Sequence, residues 1–253
     1  MADSSGVAPL VDLRAGEWVV GARELWDARW RDRLDGSAAG AGDGALGARR
    51  PWPGAGTPST LTSTSASTAG NRSAPDVLAP WVAAWGADAP ESGVSAADSG
   101  VATRVLALQC GAGVEAVAAI AAGVQLVGLD ISSVAVEAAR RALEAVRDAD
   151  AETTDEAWGS RFVVANVYAA RHLLPEPDSF DVVVTSRAAL ESLPELEEWA
   201  RVVEWFLAPS GALVVGGRRP SDPAWTDAAL ERALAAARLT PTADGGAVVA
   251  RRA

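Results

Sequence analysis

Apolar and polar positions alternate in two registers over the second half of the chain. Short, nearly unbroken apolar runs cover residues 102–108, 124–129, 161–165, 181–185 and 212–216, the length and composition of buried strands. Between them, apolar positions recur at helical spacing: residues 114–122 closed by Gly123, residues 133–147, a segment with Leu196, Trp199, Val203 and Phe206 on successive turns, and residues 226–238. A last strand is expected near residues 247–250. Strands that alternate with helices predict the α/β class, a doubly wound, mainly parallel sheet with helices on both faces. Ligands of such sheets bind beyond the carboxyl ends of the strands.

The first hundred residues follow other patterns. Residues 15–35 read as an amphipathic helix, with Trp18, Ala22, Leu25, Trp26 and Arg29 on one side and Gly36 as its stop. Residues 36–74 are rich in Gly, Ala, Ser, Thr and Pro and offer almost no apolar periodicity to offset their ordering entropy, so a flexible linker is expected. Trp52, between Pro51 and Pro53, reads as an exposed turn residue. A short helix is expected from Pro80, carrying Trp81, Val82 and Trp85, and a polar loop over residues 87–100. The expected division is a helical lid at 1–35, a linker at 36–75 and a ligand-binding domain at 76–253.

Charge and composition narrow the function. A formal net charge of -11 argues against a phosphate backbone as partner, because that affinity comes from clustered basic residues. All 22 basic residues are arginine, which removes lysine Schiff-base and lysine general-base chemistry. With Cys110 and His172 the single cysteine and histidine, neither a disulfide framework nor a thiolate and imidazole metal site is expected. The N-terminus lacks a basic start followed by an apolar run, and no apolar stretch of about 18 residues occurs, so a cytoplasmic protein without membrane association is expected.

The candidate chemistry lies after the first strand. Cys110-Gly111-Ala112-Gly113 forms a glycine turn where a backbone approaches a ligand closely, and Asp130 stands at the tip of the next strand, placed to accept both hydroxyls of a ribose. Gly111 to Ala116 also satisfies the G-x-G-x-x-G/A spacing of dinucleotide folds, so on these residues alone a nicotinamide cofactor and S-adenosylmethionine both remain open.

Four segments in combination are more specific: Val105 to Gly113; Val127 to Ser132 with Ala135 to Arg140; Phe162 to Tyr168; and Phe180 to Ser186 through Leu207 to Gly211. Over residues 101–216 they closely resemble the class I S-adenosylmethionine-dependent methyltransferases. The resemblance implies a Rossmann-like fold, S-adenosyl-L-methionine as cofactor and a small-molecule methyl acceptor, in a monomer or homodimer. It places the backbone of Gln109, Cys110, Gly111 and Gly113 against the methionine end of the cofactor, Asp130 on the ribose and Ile131 against adenine. Asn166, where the family usually has Asp, and the backbone amide of Val167 would meet the adenine edge, and Thr185, Ser186 and Arg187 would line the transfer site. Two positions depart from the pattern: Ala107 replaces a frequent acidic residue and Gln109 a glycine. The Leu-Gln-Cys form of the motif resembles a subgroup acting on small molecules, which also carries a Trp-Asp pair in an N-terminal helix and a Thr-Ser segment leading to Leu-Pro-x-Leu; here these are Trp26-Asp27, Thr185-Ser186 and Leu193 to Leu196.

Duller roles compete with each of these. Asp130 would also serve as a cap for the helix near Ser132 or Ser133, Cys110 as a small buried residue, His172 as a solvated one, and Trp18, Trp26 and Trp30 as core. A helix docked over the carboxyl edge would let one of these tryptophans, or Tyr168, face a sulfonium, and would let Arg29 or Arg187 meet a carboxylate. Glu191, Tyr168 and His172 are the candidate bases. The competing functions are a nicotinamide-dependent oxidoreductase, which the absence of lysine disfavours, and a non-catalytic protein that keeps the fold.

Overall fold

Residues along each central strand divide between two apolar clusters by strict alternation. Leu106 and Leu108 join one cluster and Val105 and Ala107 the other; Val127 and Leu129 oppose Leu126; Val183 opposes Val182 and Val184; Leu213 and Val215 oppose Val214. Period-two side chains on a sheet covered on both faces produce this division. The computed structural model describes residues 16–39, 103–113, 124–149, 159–216, 224–244 and 247–252. The linker, Trp52, the helix expected from Pro80, the loop at 87–100 and the helix expected at 114–122 lie outside the described residues.

The described elements are helix α1 (Glu17–Ala39), strands β1 (Arg104–Leu108) and β2 (Gln125–Asp130), helix α2 (Ser133–Ala149), β3 (Arg161–Val164), a single 3-10 turn (Val167–Ala169), the short helix α3 (Ala170–Leu173), β4 (Phe180–Ser186), the one-turn helix α4 (Arg187–Leu190), α5 (Leu196–Phe206), β5 (Leu207–Gly216), α6 (Asp227–Ala236), β6 (Leu239–Asp244) and β7 (Ala247–Arg252). They form one seven-stranded sheet in the order β3-β2-β1-β4-β5-β7-β6. Strands β1 to β5 pair in parallel, while β7 runs antiparallel to both β5 and β6. The chain order reverses between β1 and β4, and the carboxyl ends of β1, β2 and β3 all open on the same edge. The Rossmann-like, mainly parallel α/β fold expected from the alternation is the fold observed.

Helix α5 seals one face with Trp199, Val203 and Phe206, all fully buried as their spacing predicts. Phe206 packs edge-on against Phe180 with ring centroids 5.8 Å apart and against Trp205 at 4.8 Å. On the other face α2 contributes Val136, Ala139 and Leu143.

Two local expectations need correction. Strand β6 was not foreseen in the sequence, because Leu239 to Asp244 contains Pro241 and two threonines and lacks an apolar run. As the last strand in the sheet it tolerates proline, which a central strand would not. The second correction concerns α1: it does form, but it continues past Gly36 to Ala39. No atom beyond the helix lies within 4 Å of where a Gly36 Cβ would stand, so this position costs only the intrinsic helix penalty of glycine, about 1 kcal/mol. Its packed face also differs from the apolar pattern: Leu25 is 50% exposed, whereas Asp27 is 8% exposed.

Candidate cofactor and transfer site

The turn after β1 carries three left-handed residues, Gln109 (φ 55°), Gly111 (φ 58°) and Gly113 (φ 66°). A Cβ on Gly111 would stand 2.5 Å from Cζ2 of Trp30, and one on Gly113 would stand 2.8 Å from Cβ of Ala139, so both glycines are required by space as well as by φ. Gln109 bears its strain for a reason that the sequence pattern missed. Its Nε2 donates to the Ala189 carbonyl at 2.9 Å, and its Oε1 accepts from Thr185 Oγ1 at 3.3 Å. The amide therefore ties the turn after β1 to the segment after β4, a link no glycine makes.

Asp130 closes the other side of the turn. Its Oδ2 accepts from Gly111 N at 2.8 Å and its Oδ1 from Ser132 N at 2.8 Å. The Ile131 amide adds a third backbone bond to this carboxylate, and Asp130 is 7% exposed. Burial pushes the Asp130 carboxyl above the usual carboxylate range; the Ser132 and Gly111 amides partly offset this, and the Asp27 charge adds to the rise. Capping of α2 falls to other groups. Ser132 Oγ accepts from Ala135 N at 3.2 Å, and Asp27, reaching across from α1, accepts from Ser132 Oγ at 2.6 Å, Ser133 Oγ at 3.2 Å and Val134 N at 3.2 Å. For Asp27 burial acts upward, but the Ser132, Val134 and Ser133 bonds and the Arg31 charge outweigh it and hold its carboxyl below the usual range.

Over the carboxyl edge lies a cleft with about 310 Å³ of empty space, open to solvent. Helix α1 supplies Trp18, Ala22 and Trp26 to its roof; its floor is Gln109 from the β1 turn, Ile131 after β2, and Ala165, Asn166 and Val167 after β3; Ser192 and Leu193 close one end. Residues 106–213 match a family model described as a methyltransferase domain. The matched stretch runs from β1 to β5 and takes in the turn after β1, Asp130 and Asn166. No curated protein matches the sequence. Solved structures with a similar fold include a TehB-like SAM-dependent methyltransferase from Corynebacterium glutamicum (16% identity, 61% of this chain and 83% of that one, TM-score 0.47). They also include geranyl diphosphate C-methyltransferase from Streptomyces coelicolor A3(2) (14%, 61% and 75%, 0.47) and the amino pentose methyltransferase CalS10 from Micromonospora echinaspora (17%, 60% and 84%, 0.47).

The fold thus brings Gln109, Ile131, Asn166, Val167 and Trp26 onto one cleft, with Gly111, Cys110 and Asp130 adjoining its floor. Asn166 Oδ1 also accepts from Tyr168 N at 3.2 Å, opening the 3-10 turn. Other expected site residues are committed elsewhere. Tyr168 is a core residue, 1% exposed, whose hydroxyl donates to the Glu195 carbonyl at 3.0 Å and accepts from Glu195 N at 3.1 Å. Burial pushes its phenol far up, so neither the sulfonium-facing nor the base role fits it. Ser186 caps α4 by accepting from Ala189 N at 3.1 Å. Arg187 pairs with Asp227 at 2.8 Å, and Arg29 lies over the Trp26 ring at 4.9 Å. His172 is exposed in α3.

A second cleft, with about 300 Å³ of empty space, adjoins the first across residues 190–193. Arg187, Glu191, Trp225 and Asp227 line it, Glu191 accepts from Ala224 N, and Trp225 Nε1 donates to the Leu193 carbonyl at 3.1 Å. Ser192 and Trp225 line the clefts without a signal in the sequence. Trp18 and Asp27 are singled out there, but the capping role of Asp27 shows only once the paired serines at the start of α2 are seen beside it.

Proposed function

We propose that the chain transfers a methyl group from S-adenosylmethionine to an oxygen, nitrogen or carbon nucleophile of a small molecule, with α1 as a lid over both. The Asp130 carboxylate carries this reading, because it stands at the carboxyl tip of β2, bonded to the amide of Gly111 in the turn after β1 and to that of Ser132. Asp130 would hold the ribose diol and Ile131 the adenine face, with Asn166 and the Val167 amide at the adenine edge. The Gln109 to Gly113 backbone would face the methionine end. When bound, S-adenosylmethionine supplies a methyl group already activated by its sulfonium.

The protein's share is then alignment and exclusion of water. Trp18 and Trp26 roof the cleft, and Gln109 fixes the β1 turn against the segment after β4, where Arg187 would face the acceptor. The second cleft is the acceptor side in this reading. Glu191 is the carboxylate there positioned to take a proton from an acceptor that needs a base, and Arg187 holds Asp227 in place.

The test is a screen of phenols, amines and carbon acids for release of S-adenosylhomocysteine, run with wild type and Asp130→Ala. Turnover by wild type and its loss in the variant are expected. Turnover that is indifferent to Asp130, or reduced nicotinamide consumed in its place, would contradict the proposal.

A further inference from the structure

One polar side chain of α1 reaches across to the site. Asp27 lies 105 to 107 positions from its partners in the chain, yet it accepts from Ser132 Oγ, Ser133 Oγ and Val134 N and is 8% exposed. Those partners open α2, and Ser132 donates its own amide to Asp130. One turn further along α1, Trp30 covers Gly111, the other amide held by Asp130. Apolar packing joins the helix at two points, Trp30 on Gly111 and Trp18 on Tyr168 with ring centroids 5.7 Å apart, while Val20 and Leu25 face outward, 56% and 50% exposed. Asp130 is 7% exposed and Trp30 covers the Gly111 it holds, so a diol reaches the carboxylate when α1 lifts, and lifting breaks the Asp27 bonds.

We infer that Asp27 is a positioning residue, a latch that keeps α1 closed on the Asp130 carboxylate and so sets how fast the cofactor enters and leaves. This rests on the cofactor reading of Asp130 given above. Affinity for a ligand held by the closed form scales with the fraction of molecules closed. Loss of the latch lowers that fraction; entry becomes faster and exit becomes faster still.

The experiment compares full-length wild type, Asp27→Ala and Asp27→Asn. In ligand-free protein, hydrogen exchange of the α1 amides is expected to rise about tenfold in Asp27→Ala, with β1 and β4 still protected. In Asp27→Asn, whose amide oxygen keeps the acceptor, exchange stays close to wild type. Tryptophan fluorescence then follows S-adenosylhomocysteine: dissociation is expected about tenfold or more faster in Asp27→Ala, with association at least as fast as in wild type. A merely destabilised protein would lose protection throughout the sheet and would not bind faster. Should Asp27→Ala lose its sheet, Ser133→Ala decides by the same readings, about threefold faster exchange and release supporting the latch and wild-type values overturning it. Unchanged α1 exchange, or faster exchange with unchanged ligand rates, overturns the latch alone. Wild type that binds no S-adenosylhomocysteine overturns the cofactor reading itself.

Discussion

Burial and a second carboxylate on α1, Asp27, act against the charge of Asp130, with the amides of Ser132, Gly111 and Ile131 as partial relief. The folded-state pKa of Asp130 lies above the unfolded value, so its contribution to stability is fully present below the unfolded pKa and is lost as pH rises through the folded one. Cofactor binding responds in the opposite sense, because only the ionised carboxylate accepts from both amides and from a diol. Affinity for S-adenosylhomocysteine should therefore increase with pH through the raised Asp130 value. Asp130→Asn should flatten that profile and weaken binding about 10- to 100-fold, the worth of one or two hydrogen bonds to a charged group; titrations across pH check it, and a wild-type slope in the variant would refute it. Asp27 has a lowered pKa, so its bonds contribute above its unfolded value and are lost as pH falls through the folded one. Gly113 offers a purely steric test. At φ 66°, with Ala139 Cβ 2.8 Å from the place of a new methyl, Gly113→Ala should cost about 2–4 kcal/mol in urea unfolding. These residue roles were unevenly legible. The glycines and Asp130 declare themselves by type and spacing, whereas Gln109 reads as mere bulk until Thr185 and Ala189 are seen beside it.

Elements with a strong period were readable in advance, and those defined by their neighbours were not. Helix α5 and strands β1, β2, β4 and β5 follow from their apolar spacing alone. Strand β6 does not, since a sheet edge accepts Thr and Pro where a centre would not, although the Gly245-Gly246 pair before β7 is a hairpin signal in the sequence. For α1 the sequence predicts the helix but not its inward face, because a capping carboxylate rather than an apolar stripe fixes part of that face. Tyr168 makes the same distinction testable. Its hydroxyl joins the 3-10 turn after β3 to the start of α5 through both the amide and the carbonyl of Glu195. Tyr168→Phe should lose about 1–2 kcal/mol of stability and leave S-adenosylhomocysteine affinity within about twofold of wild type. A large loss of affinity at unchanged stability would return Tyr168 to the site.

At the scale of the whole molecule, the strand order brings three distant pieces of chain to one edge. The turn after β1, the tips of β2 and β3, and the segment after β4 meet there under α1, which arrives from the other end of the sequence. Alternation predicted the layers, yet strand order and the docking of α1 depend on contacts between residues 76 to 106 positions apart, which no local pattern encodes. Among the described residues no helix is long and apolar enough to cross a membrane. The proposed hold of this edge on S-adenosylmethionine through Asp130 is tested most directly by calorimetric titration of the full chain with S-adenosylmethionine, S-adenosylhomocysteine and NAD, repeated on Asp130→Ala. Binding of the first two in the micromolar range, none of NAD, and loss of both in the variant are expected; binding of NAD alone, or of none of the three by wild type, would overturn it.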